Sequence, residues 1–295
     1  MKPAPFEYQV PESLEQAMDL LHAYGSDAKL LAGGQSLVPA MNFRVVQPAI
    51  LIDLNHVAEL GYIRRDDHGP LRIGAMARER QLEFDPLVSR SVPLLTEAMP
   101  HVAHPQIRNR GTLGGSLANA DPAAELPVIM LALGARFKVR NALRERWVEA
   151  QSFFLGMFTT DLASDEMLVE IELPALPPRT GWSFMEVAPR AGDYASMGVA
   201  VLVTLDEHGK CTKARLVYLN AGEGPLEARE AEALLEGEQP EARLIESAAK
   251  LAAEKEINPF GNLHASKDYQ RHLASVLTRQ ALTKAVQRVK EGHSP

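Results

Sequence analysis

Two glycine pairs constrain this chain more than any other feature. The first stands in Ala32-Gly33-Gly34-Gln35-Ser36, after an apolar strand-like run and before a helical stretch. The second stands in Gly111-Thr112-Leu113-Gly114-Gly115-Ser116 and leads into a helical stretch through Leu117 and Ala118. Paired glycines let the backbone turn sharply and bring several N–H groups towards one anion. A helix start just beyond them adds partial positive charge. Ser36, Thr112 and Ser116 add hydroxyl donors. One such loop alone is usually a plain turn. Two in this strand-to-helix setting point to a bound phosphate or pyrophosphate. Neither has the P-loop form, with Gly-Lys followed by Ser or Thr, and the dinucleotide-type glycine fingerprint is absent. A kinase, a simple ATPase and a nicotinamide-linked Rossmann enzyme are therefore disfavoured.

The pattern around the first pair is βαβαβ, which predicts a partly parallel sheet with helices on it. Residues 6–10, 29–32 and 50–54 read as strands. Ser13-Leu-Glu-Gln16 is a capping box followed by apolar positions at helical spacing, and residues 36–41 form a short helix with Pro39 in its first turn. A second α/β segment runs over residues 71–173. It holds a strand at 71–74, helical stretches within 78–99, a loop over 104–115, an apolar helix at 123–133, a hairpin of 135–140 with 144–149, and a strand at 167–173. Pro174-Ala-Leu-Pro-Pro-Arg reads as a linker. Beyond it, residues 182–187, 198–205 and 210–220 read as antiparallel strands, with a turn at 206–209. Helices follow at 225–236, 240–254 and 268–289, the last with an apolar face.

At 295 residues the chain exceeds one usual core, so two domains are expected. A net charge of −7 argues against a general nucleic-acid binder. No run is long and apolar enough to span a bilayer, and the N-terminus has no signal-peptide core, so a cytoplasmic location is expected. Cys211 is the single cysteine. It can form no internal disulfide and cannot supply the thiolates of an iron–sulfur cluster, and it reads as a buried core thiol.

The runs Leu31-Ala-Gly-Gly-Gln-Ser-Leu37 and Gln106-Ile-Arg-Asn-Arg-Gly-Thr-Leu-Gly-Gly-Ser-Leu-Ala-Asn-Ala-Asp-Pro122 resemble the flavin-binding motifs of the FAD-binding medium subunits of molybdenum hydroxylases. That group includes carbon monoxide dehydrogenase, quinoline oxidoreductase and the flavin domain of xanthine dehydrogenase. Residues 153–160, 166–174 and 190–195 match as well, and the resemblance runs from residue 6 to about 271. It implies an α+β fold: a two-lobed α/β FAD-binding domain of the PCMH type over residues 1–176, with lobes of about 1–57 and 58–176. A small C-terminal domain of antiparallel sheet plus helices follows over 177–295. It also implies that Ala32, Gly33, Gly34, Gln35, Ser36 and Leu37, together with Thr112, Leu113, Gly114, Gly115 and Ser116, hold the FAD pyrophosphate. Glu125, with Asp121 beside it, matches an acid that contacts the flavin's polar chain. Leu168 matches a position against the cofactor, and Tyr194 falls where a loop approaches the isoalloxazine ring. The family often carries a lysine near position 185 or 186, where this chain has Met185 and Glu186. That departure bears on flavin potential and ring contacts.

The resemblance further implies partners: a large subunit with a molybdenum cofactor and a small subunit with [2Fe–2S] clusters, in a dimer of heterotrimers. Substrate is then hydroxylated at molybdenum, and FAD on this chain passes the electrons to an external acceptor. No residue here is needed as a general acid or base, and none as a metal ligand: His101 and His104 read as loop packing. Arg108 and Arg110 read equally as phosphate-neutralising or as solvated. The acidic stretch 223–256 and the basic stretch 136–146 read as solvated faces, with subunit docking as the alternative. Two other functions fit the loops. One is a self-contained flavoprotein oxidase or reductase, which needs a proton donor beside the flavin. The other is a non-redox module for a phosphorylated ligand. A yellow chromophore excludes the last, and co-purifying subunits exclude the self-contained enzyme.

Overall fold

The computed structural model describes residues 1–66 and 69–292; the remaining residues of the two expected domains lie outside it. The first lobe is built as the βαβαβ pattern predicts. Strand β1 (Glu7–Gln9), helix α1 (Leu14–Tyr24), strand β2 (Ala28–Leu31), helix α2 (Leu37–Asn42) and strand β3 (Ile50–Asp53) follow in order. The strands form a three-stranded parallel sheet in the order β1-β3-β2. Ser13 caps α1, its Oγ accepting from the Gln16 N–H at 3.2 Å. The return bond goes to the Glu12 N–H, one residue earlier than a strict capping box places it. Ala17, Met18 and Leu21 then share one face and pack on Ile50 and Ile52.

The middle lobe is built on a sheet that is antiparallel throughout. Strands β4 (Ile63–Arg65) and β5 (Leu71–Gly74) precede helices α3 (Glu79–Phe84), α4 (Pro86–Ser91), α5 (Pro93–Ala98), α6 (Pro105–Arg108), α7 (Leu113–Asn119) and α8 (Glu125–Ala132). Strands β6 (Arg136–Arg140) and β7 (Glu145–Glu149) form the expected hairpin. After a short helix α9 (Ala150–Phe153) and a small hairpin of β8 (Phe154–Gly156) with β9 (Thr159–Thr160), β10 (Met167–Leu173) enters the centre of the order β4-β5-β10-β6-β7. All seven residues of β10 are buried, so its two carboxylates need partners. Glu170 takes Arg64, and Glu172 takes Arg72 and Arg136.

Beyond the proline-rich connection lie β11 (Thr180–Val187), β12 (Met197–Leu205), β13 (Cys211–Leu219) and β14 (Leu226–Glu227), antiparallel in that order. The short β14 occupies the start of the stretch read as a helix from residue 225; α10 begins only at Arg229 and runs to Leu235. Helices α11 (Ala242–Leu251) and α12 (Lys267–Lys290) complete the chain, and Cys211 is buried without a disulfide. Strand β12 explains how this unit is fixed. Val199, Val201 and Val203 face α10 to α12, whereas Ala200 and Leu202 enter the same core as Leu94, Leu95 and Ile129 of the middle lobe. A strand buried on both faces reads as one continuous apolar run, which is what residues 197–203 are. No described helix is long and apolar enough to cross a membrane.

Candidate functional site

Ligands of parallel α/β sheets sit beyond the carboxyl ends of the strands. The first glycine motif lies there, after β2, and Asn55 lies there after β3. Gly34 takes a φ of +75°, which its missing Cβ permits. From Gly33 to Leu37, none of the five backbone N–H groups has an acceptor among the described residues. Gln35 Nε2 donates to the Gly33 carbonyl at 3.1 Å, and Asn55 Nδ2 donates to the Ala32 carbonyl at 3.0 Å. Asp53 anchors Asn55 in turn, accepting from its N–H at 2.9 Å, and accepts a short hydrogen bond from the Tyr8 hydroxyl. The loop is thus fixed through its carbonyls while its donors point free. Ser36 is exposed and caps nothing.

The second motif meets the first directly. A Cβ on Gly33 would lie 2.8 Å from Gly111 Cα and closer still to the Arg110 carbonyl; one on Gly115 would lie 3.4 Å from Ala32 Cβ. Here the sequence reading needs correction. Gly114 and Gly115 are not in a loop before a helix; they are in the first turn of α7, which Thr112 caps by accepting from the Gly115 N–H at 3.1 Å. The Leu113 and Gly114 N–H groups go to the carbonyls of Ala77 and Ala75, and that of Ser116 goes to the Thr112 carbonyl. This motif therefore contributes close packing and hydroxyls, not a second row of free donors. Gly114 is glycine because Ala75 Cβ would stand 2.6 Å from any Cβ there.

The arginines divide. Arg108 is 4% exposed and is neither solvated nor free for phosphate. It forms a bidentate pair with Glu83 at 3.0 and 3.1 Å and donates to the Val102 carbonyl at 2.8 Å. Arg110 is exposed at the junction. Arg78 was not singled out from sequence, yet it donates to Asn55 Oδ1 at 2.6 Å and to the Arg110 carbonyl, so it ties the two motifs together. Its only sequence signal is its place after β5, before a helix.

The acidic residues form a second feature behind the junction. Glu79 lies against Gly111, and its carboxyl is pushed up to about 7, chiefly by burial. Glu125, the first residue of α8, is 7% exposed; burial first, then the charge of Glu186, push it up to about 8. Glu186 reaches in from β11, with Oε1 3.2 Å from His101 Nδ1 and Oε2 buried without a partner. Asp121 accepts from the Ala123 N–H at 3.0 Å. Tyr194 is exposed at the ring, but its hydroxyl faces Asp121 and its pKa is raised by partial burial and then by that carboxylate. Leu168 is not brought to this surface. It is buried in the middle core opposite Val139, in the same apolar cluster as Ala75 and Leu113. His104 packs against Gly192, in keeping with a packing role. A cavity of about 360 Å³ lined by Leu133, Pro174, Thr180 and Lys213 lies elsewhere, between the middle lobe and the β11–β13 sheet.

Fold and junction define a class: an α+β protein with a row of free backbone N–H groups where two glycine motifs abut. Residues 4–176 match the model of the FAD binding domain in molybdopterin dehydrogenase, and residues 182–285 match that of the CO dehydrogenase flavoprotein C-terminal domain. The chain belongs to the family of FAD-binding medium subunits of molybdenum hydroxylases. It is 41% identical to the 6-hydroxypseudooxynicotine dehydrogenase complex subunit alpha of Paenarthrobacter nicotinovorans, over 98% of this chain and 97% of that one. Among solved structures, carbon monoxide dehydrogenase from Hydrogenophaga pseudoflava superposes with a TM-score of 0.94 at 38% identity, covering 98% of this chain and 99% of that one. Quinoline 2-oxidoreductase from Pseudomonas putida 86 gives 0.92 at 39%, with the same coverage.

Proposed function

We propose that this chain holds FAD across the junction of its two glycine motifs and relays electrons within a heteromeric molybdenum hydroxylase. The observation that carries the reading is the row of free N–H groups from Gly33 to Leu37 in a chain of this family. The residues present fit a flavin dinucleotide: five unpaired donors suit a pyrophosphate, and Arg78 and Arg110 bring positive charge to the same point. Ser36 and Ser116 serve as hydroxyl donors, Ala32 and Gly115 form the tight contact between the motifs, and Gln35 holds the turn. Thr112, Leu113 and Gly114 fix the second motif in place, and Leu168 belongs to the apolar core that seats Leu113. Asp121, Glu125 and Tyr194 line the flavin end. Bound flavin supplies the redox chemistry, while the protein supplies binding, orientation and electrostatics.

The relatives favour a relay over a self-contained oxidase. Identity runs from 33% to 41% for subunits of enzymes named for 6-hydroxypseudooxynicotine, quinoline and carbon monoxide. Similarity varies as much between two carbon monoxide dehydrogenases, 33% and 38%, as between enzymes of unlike substrates, which suits a subunit that never touches the substrate. With one buried thiol, the chain has no means of holding an iron–sulfur cluster. The reading therefore assigns the molybdenum cofactor to a large partner subunit and [2Fe–2S] clusters to a small one, in a cytoplasmic dimer of heterotrimers. The test mixes purified, FAD-loaded chain anaerobically with N-heterocycles, aldehydes or carbon monoxide and follows the flavin absorbance. No bleaching is expected until partner subunits are added. Bleaching by the chain alone would establish a self-contained flavoprotein instead, and FMN in the extract would remove the pyrophosphate argument.

A further inference from the structure

The two glycine motifs belong to different lobes, and one polar path crosses between them. On the middle-lobe side it starts at Arg78. The Arg78 backbone bridges to Thr112, the cap of α7, and the next N–H, that of Glu79, donates to the Gly111 carbonyl at 3.0 Å. Arg78 therefore stands on a backbone already fixed to the second motif. One arm of its guanidinium donates to the Arg110 carbonyl, the same carbonyl that leaves no room for a Cβ on Gly33. The other arm crosses to the first lobe and donates to Asn55 Oδ1 at 2.6 Å. Asn55 Nδ2 then donates at 3.0 Å to the carbonyl of Ala32, the residue just before the free N–H row. The buried Asp53 carboxylate steadies Asn55: one oxygen accepts from its N–H at 2.9 Å and from its Nδ2, while Tyr8 donates to the other.

The partners at position 55 call for an amide. The side chain faces two acceptors, the Ala32 carbonyl and the Asp53 carboxylate, and one donor, the Arg78 guanidinium. An aspartate there could only accept, and it would set a second carboxylate against Asp53. A lysine could only donate, and it would set a cation against Arg78. An amide of this length does both, and in one orientation only, since turning it over would put its oxygen on two acceptors. We infer that Asn55 is a positioning residue of the FAD site. It acts through the Ala32 carbonyl and Arg78, and it sets where the N–H row of Gly33 to Leu37 stands against the second motif. This rests on the FAD reading above and goes beyond it, because Arg78 becomes half of a clamp and not only a charge beside a phosphate. The clamp fixes one carbonyl in each motif before any ligand arrives, so FAD meets a preorganised junction.

The experiment titrates FAD into the deflavinated full chain and its variants, following flavin fluorescence, at a temperature where melts show each chain to be folded. Asn55→Leu removes both arms at similar shape and should weaken FAD affinity about tenfold or more, as the loss of a hydrogen bond to a charged group does. Arg78→Lys keeps the positive charge but presents one nitrogen where the fork presents two. Its affinity should fall nearly as far as that of Arg78→Gln. The double variant of Asn55→Leu with Arg78→Lys should lose clearly less than the product of the single losses, because both break one clamp. A residue that only supported the fold would lower the melting temperature and leave the affinity of the folded chain unmoved. Wild-type affinity in folded Asn55→Leu therefore overturns the inference, as do wild-type affinity in Arg78→Lys or single losses that simply multiply. Should Asn55→Leu fail to fold, Arg78→Lys against Arg78→Gln decides the matter alone. In all these cases FAD binding by the wild-type chain still stands. If the wild type binds no FAD, the proposed function falls and takes the inference with it.

Discussion

Gly33→Ala is the sharpest perturbation of the junction. Its Cβ would come to 2.8 Å from Gly111 Cα and 3.0 Å from the Arg110 carbonyl carbon, with the carbonyl oxygen nearer still. Ordinary contact begins at 3.4 Å, so one methyl group forces the motifs apart by about 0.6 Å or more. The obstacle is backbone, which cannot swing aside as a side chain can. Overpacking of this kind costs about 1–3 kcal/mol of stability. The same displacement tilts the free N–H row away from Ser116 and Gly115, and loss of one or two charge-assisted hydrogen bonds predicts FAD affinity weaker by about 1.5–3 kcal/mol, roughly 10- to 150-fold. Thermal unfolding of the deflavinated chain reads the first effect, and FAD titration reads the second. Gly134→Ala is the matched control. It sits at a φ of +65° with nothing within 4 Å, so it should lower stability by about 1 kcal/mol through strain and leave FAD affinity alone. If Gly33→Ala bound FAD like the wild type, the two motifs would not share one ligand.

Three further outcomes follow from single side chains. Ser36→Ala should weaken FAD binding by about 1–3 kcal/mol, measured by the same titration, because its hydroxyl is exposed beside the free N–H row. Thr112→Ala should act mainly on stability, lowering it by about 1 kcal/mol in a melt, since its oxygen is the cap of α7. Glu79 is raised from 4.5 to about 7 by burial, so the folded chain binds the extra proton between those values. Stability must therefore fall as pH rises through that window, by at most about 1.4 kcal/mol per pH unit from this group. Melts at pH 5 and pH 8 should show Glu79→Gln gaining on the wild type at the higher pH; a constant difference would refute the assignment.

Much of this architecture was legible because it is local. Strand β10 is an apolar run between turn signals, and its bounds are those read from sequence. Ser13 announces α1, and Asp206 with Gly209 announces the turn between β12 and β13, where the Asp206 carboxylate accepts from His208 and Lys210. What was not legible depends on partners far along the chain. Whether an N–H of a glycine motif is free rests on its acceptor: Ala75 and Ala77 take those of Gly114 and Leu113, while the donors of Gly33 to Leu37 have none. The start of α7 was missed because Gly115, not Glu or Gln, stands three residues after Thr112, so half the capping signal is absent. By position Arg108 reads equally as phosphate-neutralising or as solvated; Glu83, 25 residues earlier, decides against both.

The proposed FAD site draws on three parts of the chain. The first lobe gives the N–H row, the middle lobe gives the packed glycines and Glu125, and β11 with its following loop gives Glu186 and Tyr194. What holds the last of these in register is not the proline-rich connection but β12, whose Ala200 and Leu202 enter the middle core while its valines face α12. The same sheet presses Phe184 edge-on against His101, 5.3 Å between ring centres, and so sets the imidazole that meets Glu186. The Glu186 contribution at Glu125 therefore depends on apolar packing between β12 and the middle lobe. A sheet with only one buried face could have carried Glu186 on solvent, where its charge would be screened and Glu125 would keep burial as a cause of its raised value but lose this neighbour's contribution.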